Sequence, residues 1–103
     1  MNSSCIENLK VDSDTTCKAD QKIKNVPVAH VKECLTECEK AGSNLFAFEN
    51  NTSGVCFKDE KCGCICYAEN VTIQTCEMKY TTGYHLHRIA DLNEKVCILN
   101  CDI

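Results

Sequence analysis

Apolar and polar positions along the chain alternate with a strand period in several short stretches and with a helical period in one. Residues 31–41 carry Val31, Cys34, Leu35, Cys38 and Ala41 at spacings of three and four, with Lys32, Glu33, Glu37 and Lys40 between them. That pattern predicts a helix with one apolar stripe and a wet opposite face. Gly42 stands where a left-handed C-terminal cap belongs. His30, just ahead of the stripe, is a weak N-cap type. Cys34 and Cys38 lie one turn apart, so both thiols point at whatever the helix packs on.

Residues 45–49 (Leu-Phe-Ala-Phe-Glu) alternate as a strand does, 50–54 are a polar turn cluster, and 55–58 (Val-Cys-Phe-Lys) read as the returning strand of a hairpin. Residues 64–68 alternate again. Residues 21–28 alternate weakly through Ile23, Val26 and Val28, which predicts a short strand ending near Pro27. A further short strand is expected within 71–79. In 80–90, Tyr84, Leu86 and Arg88 fall on one face of a strand and His85, His87 and Ile89 on the other. The first 20 residues are polar, and their order is expected to come from Cys5 and Cys17. The tail, 91–103, reads as a short helix or a terminal strand carrying Cys97 and Cys101.

Composition changes this picture in one respect. A chain of 103 residues has room for one small domain. Val, Ile, Leu and Phe total only 23, there is no Trp, and 11 residues are cysteine. So thin an apolar core needs covalent closure, and cysteine at this density marks a disulfide scaffold. The expected fold is therefore α+β: one helix on a small antiparallel sheet, stapled by about four or five disulfides of about 2–4 kcal/mol each. An odd cysteine count leaves at least one sulfur free or committed to another chain, as in a disulfide-linked dimer.

Disulfides in a short chain predict a secreted protein or the outer face of a cell. Sequons for N-glycosylation at Asn2, Asn50, Asn51 and Asn70 fit that compartment. The first 25 residues contain no apolar signal segment, so the chain reads as a mature protein or an excised domain. Net charge −4 with a single Arg argues against nucleic-acid binding, because no basic surface is available to displace counterions. No apolar run is long enough for membrane insertion. Ten Lys to one Arg, with nine Asn, resembles AT-rich coding as in some parasites and protists.

The order Cys34-x3-Cys38 on a helix, Phe46-Ala47-Phe48, a polar hairpin, then Cys56-Phe57 resembles the core of the PAN/apple domain family over residues 22–89. Tyr84-His85-Leu86-His87 is also similar to the late strand of a leech anti-platelet member. The resemblance implies one helix packed across a curved antiparallel sheet. It implies a Cys34–Cys56 bridge, and a partner for Cys38 among Cys62, Cys64 and Cys66, because Leu45 stands where the family places a cysteine. It further implies a bridge joining the two ends, from Cys5 or Cys17 to Cys97 or Cys101. The implied function is non-catalytic: adhesion to a protein partner at a cell surface or matrix, including parasite–host adhesion. Lectin-like binding of a galactose-type sugar and a secreted anti-haemostatic role masking collagen are the alternatives.

Among candidate sites, Tyr84, His85, His87 and Arg88 are residue types favoured in recognition surfaces and are the expected ligand-binding set. His85 and His87 share a face and so weigh as metal ligands or a pH sensor, but the spacing fits an ordinary strand better. The Cys62, Cys64, Cys66 run has the wrong spacing for a zinc loop and is expected to form separate disulfides to the helix and the N-terminal segment. No cofactor or metal is called for. No catalytic arrangement stands out, since oxidised thiols cannot act as nucleophiles and Asp59-Glu60 reads as a solvated pair.

Overall fold

The computed structural model describes residues 9–49 and 61–89. Its elements are β1 (Lys10–Asp12), β2 (Thr15–Cys17), a 3-10 turn (Ala19–Gln21), β3 (Lys22–Val28), α1 (Val31–Lys40), β4 (Leu45–Glu49), β5 (Cys62–Tyr67), β6 (Met78–Tyr80) and β7 (Tyr84–Arg88). The fold is α+β, with one α-helix and antiparallel sheets among the described residues. Five strands form one sheet in the order β1-β7-β4-β5-β3, and β2 pairs with β6 in a two-stranded ribbon.

The helix forms over the expected stripe. Cys34, Leu35 and Cys38 are buried, and Val31 and Ala41 pack against the same core. Gly42 has φ +85°, the left-handed conformation expected of it. The helix start is better capped than the sequence suggests. His30 Nδ1 accepts from Lys32 N at 3.1 Å, and Glu33 Oε1 accepts from Ala29 N at 2.7 Å. Between them two of the backbone donors around the first turn are satisfied.

Strand alternation divides the core between the two faces of the large sheet. Phe46, Phe48, Cys62, Cys64 and Cys66 meet α1 on one face, with Leu9 and Val28. Leu45, Ala47, Tyr67 and Leu86 lie on the other, covered by Val71, Cys17 and Cys76. Neither core is large; among the described residues the first carries two disulfides and the second one. Cys34–Cys64 and Cys38–Cys66 fasten α1 to β5 on the first face, and Cys17–Cys76 fastens the covering segments on the second.

Two corners carry the chain between sheet and ribbon. Asp14, at φ +50°, turns β1 into β2, and Gly83, at φ +88°, turns β6 into β7. They are tied together: Gly83 N donates to Asp14 Oδ1 at 2.9 Å, and Thr81 N donates to the Asp14 carbonyl at 2.8 Å.

Several expectations need correction. The polar N-terminal stretch contains two strands, built by long-range pairing to β7 and β6. In 71–79 only Met78 and Lys79 are strand, the start of β6, and 73–75 are turn. Thr75 Oγ1 donates to the Asn70 carbonyl and accepts from Thr72 N, so side-chain bonding replaces a ladder there. The expected return strand at 55–58 lies outside the described residues. The neighbours of β4 are β5 and β7, with Phe46 opposite Cys66 on one side and His87 on the other.

Candidate functional site

Cysteine connectivity departs from the implied pattern. Cys34 pairs with Cys64, not with Cys56. Register explains this: Cys64 and Cys66 project from the same face of β5 as the stripe of α1, two residues apart against a helical spacing of four. Cys38 takes Cys66, one of its three expected partners. Cys17 takes Cys76 rather than Cys97 or Cys101, because β2 and the segment before β6 are neighbours on the second face. Cys76 was not singled out by the sequence reading, although its burial is what closes that core. Cys62 is also disulfide-bonded. Cys5, Cys56, Cys97, Cys101, Asn50 and Asn51 lie outside the described residues. Asn70 is exposed in a turn, with Thr72 two residues on, so the structure presents this sequon at the surface.

The four candidate ligand residues all lie on β7 but do not form one surface. His87 is only 6% exposed and stacks on Phe46, with ring centroids 5.0 Å apart and planes 10° from parallel. Burial, then the neighbouring positive charges of His85 and Lys10, pushes its pKa down to about 4, so the ring is neutral at pH 7. His87 Nδ1 is buried with no hydrogen-bond partner among the described residues. His85 is half-buried, and its Nδ1 accepts from Asp14 N at 3.4 Å. Tyr84 and Arg88 sit at alternate positions, so the pleat sends them to the opposite face. Partial burial, with the Glu49 carboxylate nearby, raises the Tyr84 phenol pKa. Of the four, only His87 is buried in the packing; Tyr84, His85 and Arg88 are partly exposed.

Among the described residues, a groove of about 930 Å3 opens between β3 and α1, a feature the sequence pattern did not indicate. Val26, Pro27, Val28 and Ala29 form an apolar wall, and Lys32, Thr36 and Lys61 stand among the polar groups. β3 ends the five-stranded order, and Pro27 suits such an edge because it has no N–H to donate. Lys24 Nζ donates to Glu37 Oε1 at 2.8 Å across the groove, and that bond with the lysine charge lowers the Glu37 pKa. Glu33 is engaged by Ala29 N. Lys32 and Lys61 make no ion pair among the described residues, and the Glu33 carboxylate adds one negative charge to the same lining. The signal for this groove was present only as a helix following a Pro-containing strand, and its existence depends on how the two cross.

Such a groove can hold an extended or branched ligand by apolar contact and charge. Its one imidazole, His30, already spends Nδ1 on capping the helix. No helix among the described residues is long and apolar enough to cross a membrane. Comparisons with protein-family models, curated proteins and solved structures find no match to this chain.

Proposed function

We propose that the chain is a divergent PAN/apple-like module, secreted or displayed on the outer face of a cell, that binds a protein partner without catalysis. The observation that carries this reading is the groove between β3 and α1: apolar on one wall, with Lys32 and Lys61, which make no ion pair among the described residues, in its lining. It lies on a domain whose small cores are closed by disulfides, a construction suited to an oxidising exterior. The favoured occupant is an extended, acidic segment of a partner protein. Apolar contact with Pro27 and Ala29, the exposed members of that wall, supplies affinity, and the lysines supply steering and register.

The test is binding of the isolated oxidised domain to cell-surface and matrix proteins, with Lys32→Glu/Lys61→Glu beside the parent. Saturable binding to a protease-sensitive ligand is expected, weakened at least about tenfold by the double charge reversal. Unchanged binding in that variant overturns the groove assignment. Elution by free galactose overturns the protein partner in favour of a lectin. Selective masking of collagen against platelet adhesion supports the anti-haemostatic alternative and overturns the adhesion role.

A further inference from the structure

Two buried disulfides of this fold form one knot of sulfur. The Sγ atoms of Cys34, Cys38 and Cys64 all lie within 4.8 Å of one another, and Cys66 is bonded to Cys38. Cys38 Sγ is 3.7 Å from Cys64 Sγ although the two belong to different bridges. We infer that Cys34, Cys38, Cys64 and Cys66, when reduced, form a tetrathiolate site for a thiophilic divalent cation, zinc above all.

Geometry carries the inference. Tetrahedral zinc with bonds of about 2.3 Å holds its sulfurs about 3.8 Å apart. The Cys38–Cys64 edge already has that length. Two ligands come from one turn of α1 and two from one face of β5, so rigid elements fix both pairs. All four residues are 0% exposed, and Leu35, Phe46 and Phe48 complete an apolar shell. A dry thiolate cage of this kind excludes competing water, as closed structural zinc sites do. The remaining described cysteines do not join the knot. Cys17 and Cys76 lie in the core on the opposite face of the sheet, and Cys62 is bonded to none of the three mutually close sulfurs, whereas Cys66, outside that trio itself, is bonded to one of them.

The chemistry balances with a reductant of the phosphine or dithiol class. Each disulfide accepts two electrons and two protons and becomes two thiols. A dithiol closes to its own disulfide; a phosphine takes oxygen from water and becomes its oxide. One divalent ion then replaces four thiol protons. The same four residues thus fasten α1 to β5 in two ways, through covalent bridges when oxidised and through the ion when reduced. Oxidation expels the ion. This inference is independent of the binding-module reading.

The experiment uses the full chain, reduced by a trialkylphosphine and freed of metal. Cobalt(II) is added as a spectroscopic probe, followed by zinc, and the thiols are then alkylated and mapped by mass spectrometry. One ion per chain is expected, with a tetrahedral tetrathiolate cobalt spectrum that zinc abolishes. Zinc should slow alkylation of Cys34, Cys38, Cys64 and Cys66 at least about tenfold and leave the other cysteines reactive. The spectrum should be lost in Cys38→Ser/Cys66→Ser. An absent tetrahedral spectrum, or protection falling on other cysteines in the parent chain, overturns the site even if the variant fails to fold.

Discussion

His87 lies face to face with Phe46, its neighbour across the β4–β7 pair, and its Nδ1 is buried with no hydrogen-bond partner among the described residues. A buried neutral imidazole makes stability depend on pH in a definite direction. Above about pH 6.5 the ring is neutral whether the chain is folded or not, so it contributes no pH dependence. Below that, the unfolded chain takes up a proton that the folded chain refuses until about pH 4. Stability attributable to this residue therefore falls as pH drops from about 6.5 to about 4, by about 3 kcal/mol at most, and is flat below. His87→Phe keeps a ring on Phe46 and removes the titration. Denaturant unfolding across that pH range is expected to show a shallower acid limb in the variant. An identical limb in the parent and His87→Phe contradicts the assignment.

Metal-free reduction should unfold the domain. The Cys17–Cys76 bridge closes 59 residues, and the Cys34–Cys64 and Cys38–Cys66 bridges close 30 and 28. Chain entropy assigns each about 3–4 kcal/mol, comparable in sum to the whole stability of a small domain. Cys17→Ala/Cys76→Ala alone is expected to loosen the face covered by β2 and β6 and leave α1 fastened. Its far-UV circular dichroism should stay native at 25 °C while its midpoint in denaturant drops. A native spectrum in the fully reduced, metal-free parent would contradict the dependence on sulfur.

Residue patterning reached the parts of the fold that carry enough period to be read. The stripe Val31, Cys34, Leu35, Cys38 placed α1, and alternation placed β3, β4, β5 and β7. It did not reach β1 and β2, and it met β6 only in part, as the end of a strand expected in 71–79; all three are three-residue strands whose apolar content is slight. Thr15 and Thr16 are buried, and they pair with Tyr80 and Lys79 across the ribbon, a relation more than 60 residues distant in the chain. Connectivity was illegible for a similar reason. Nothing in the spacing of Cys34 and Cys38 says which of two equivalent strand sulfurs each meets. The β7 residues show the limit for sites. Alternation correctly separated His87 from Arg88, but which face is covered depends on packing elsewhere. The groove between β3 and α1 depends on a crossing that no local pattern specifies.

Tyr67 and Cys17 provide a sharper test of the second core. The Tyr67 hydroxyl accepts from Cys17 N at 3.0 Å, both residues are buried, and Ser43 Oγ donates to the Tyr67 carbonyl at 2.7 Å. Burial raises the phenol pKa, so the hydroxyl stays protonated well past neutrality. Tyr67→Phe keeps the ring and strands the Cys17 N–H. A loss of about 1–3 kcal/mol is expected, the cost of one buried unsatisfied donor. Equilibrium unfolding at pH 7 measures it. A loss below about 0.5 kcal/mol would mean that Cys17 N finds another acceptor.

The start of α1 links stability to the groove. His30 Nδ1 accepts from Lys32 N, a role that Asn, Asp or Ser performs with shorter side chains. His30→Ala should destabilise the fold by about 0.5–2 kcal/mol, and His30→Asp should recover that loss, aided by the helix dipole. Unfolding of the parent and both variants at pH 7 tests this. The expected order is Asp at or above His, both above Ala. Equal stabilities for His30→Ala and the parent would show that the Glu33 bond to Ala29 N alone holds the helix start. His30 also lines the groove, so the Asp variant separates the two roles: it restores the cap but places a negative charge beside Lys32. Binding of an acidic partner should fall in His30→Asp while stability does not.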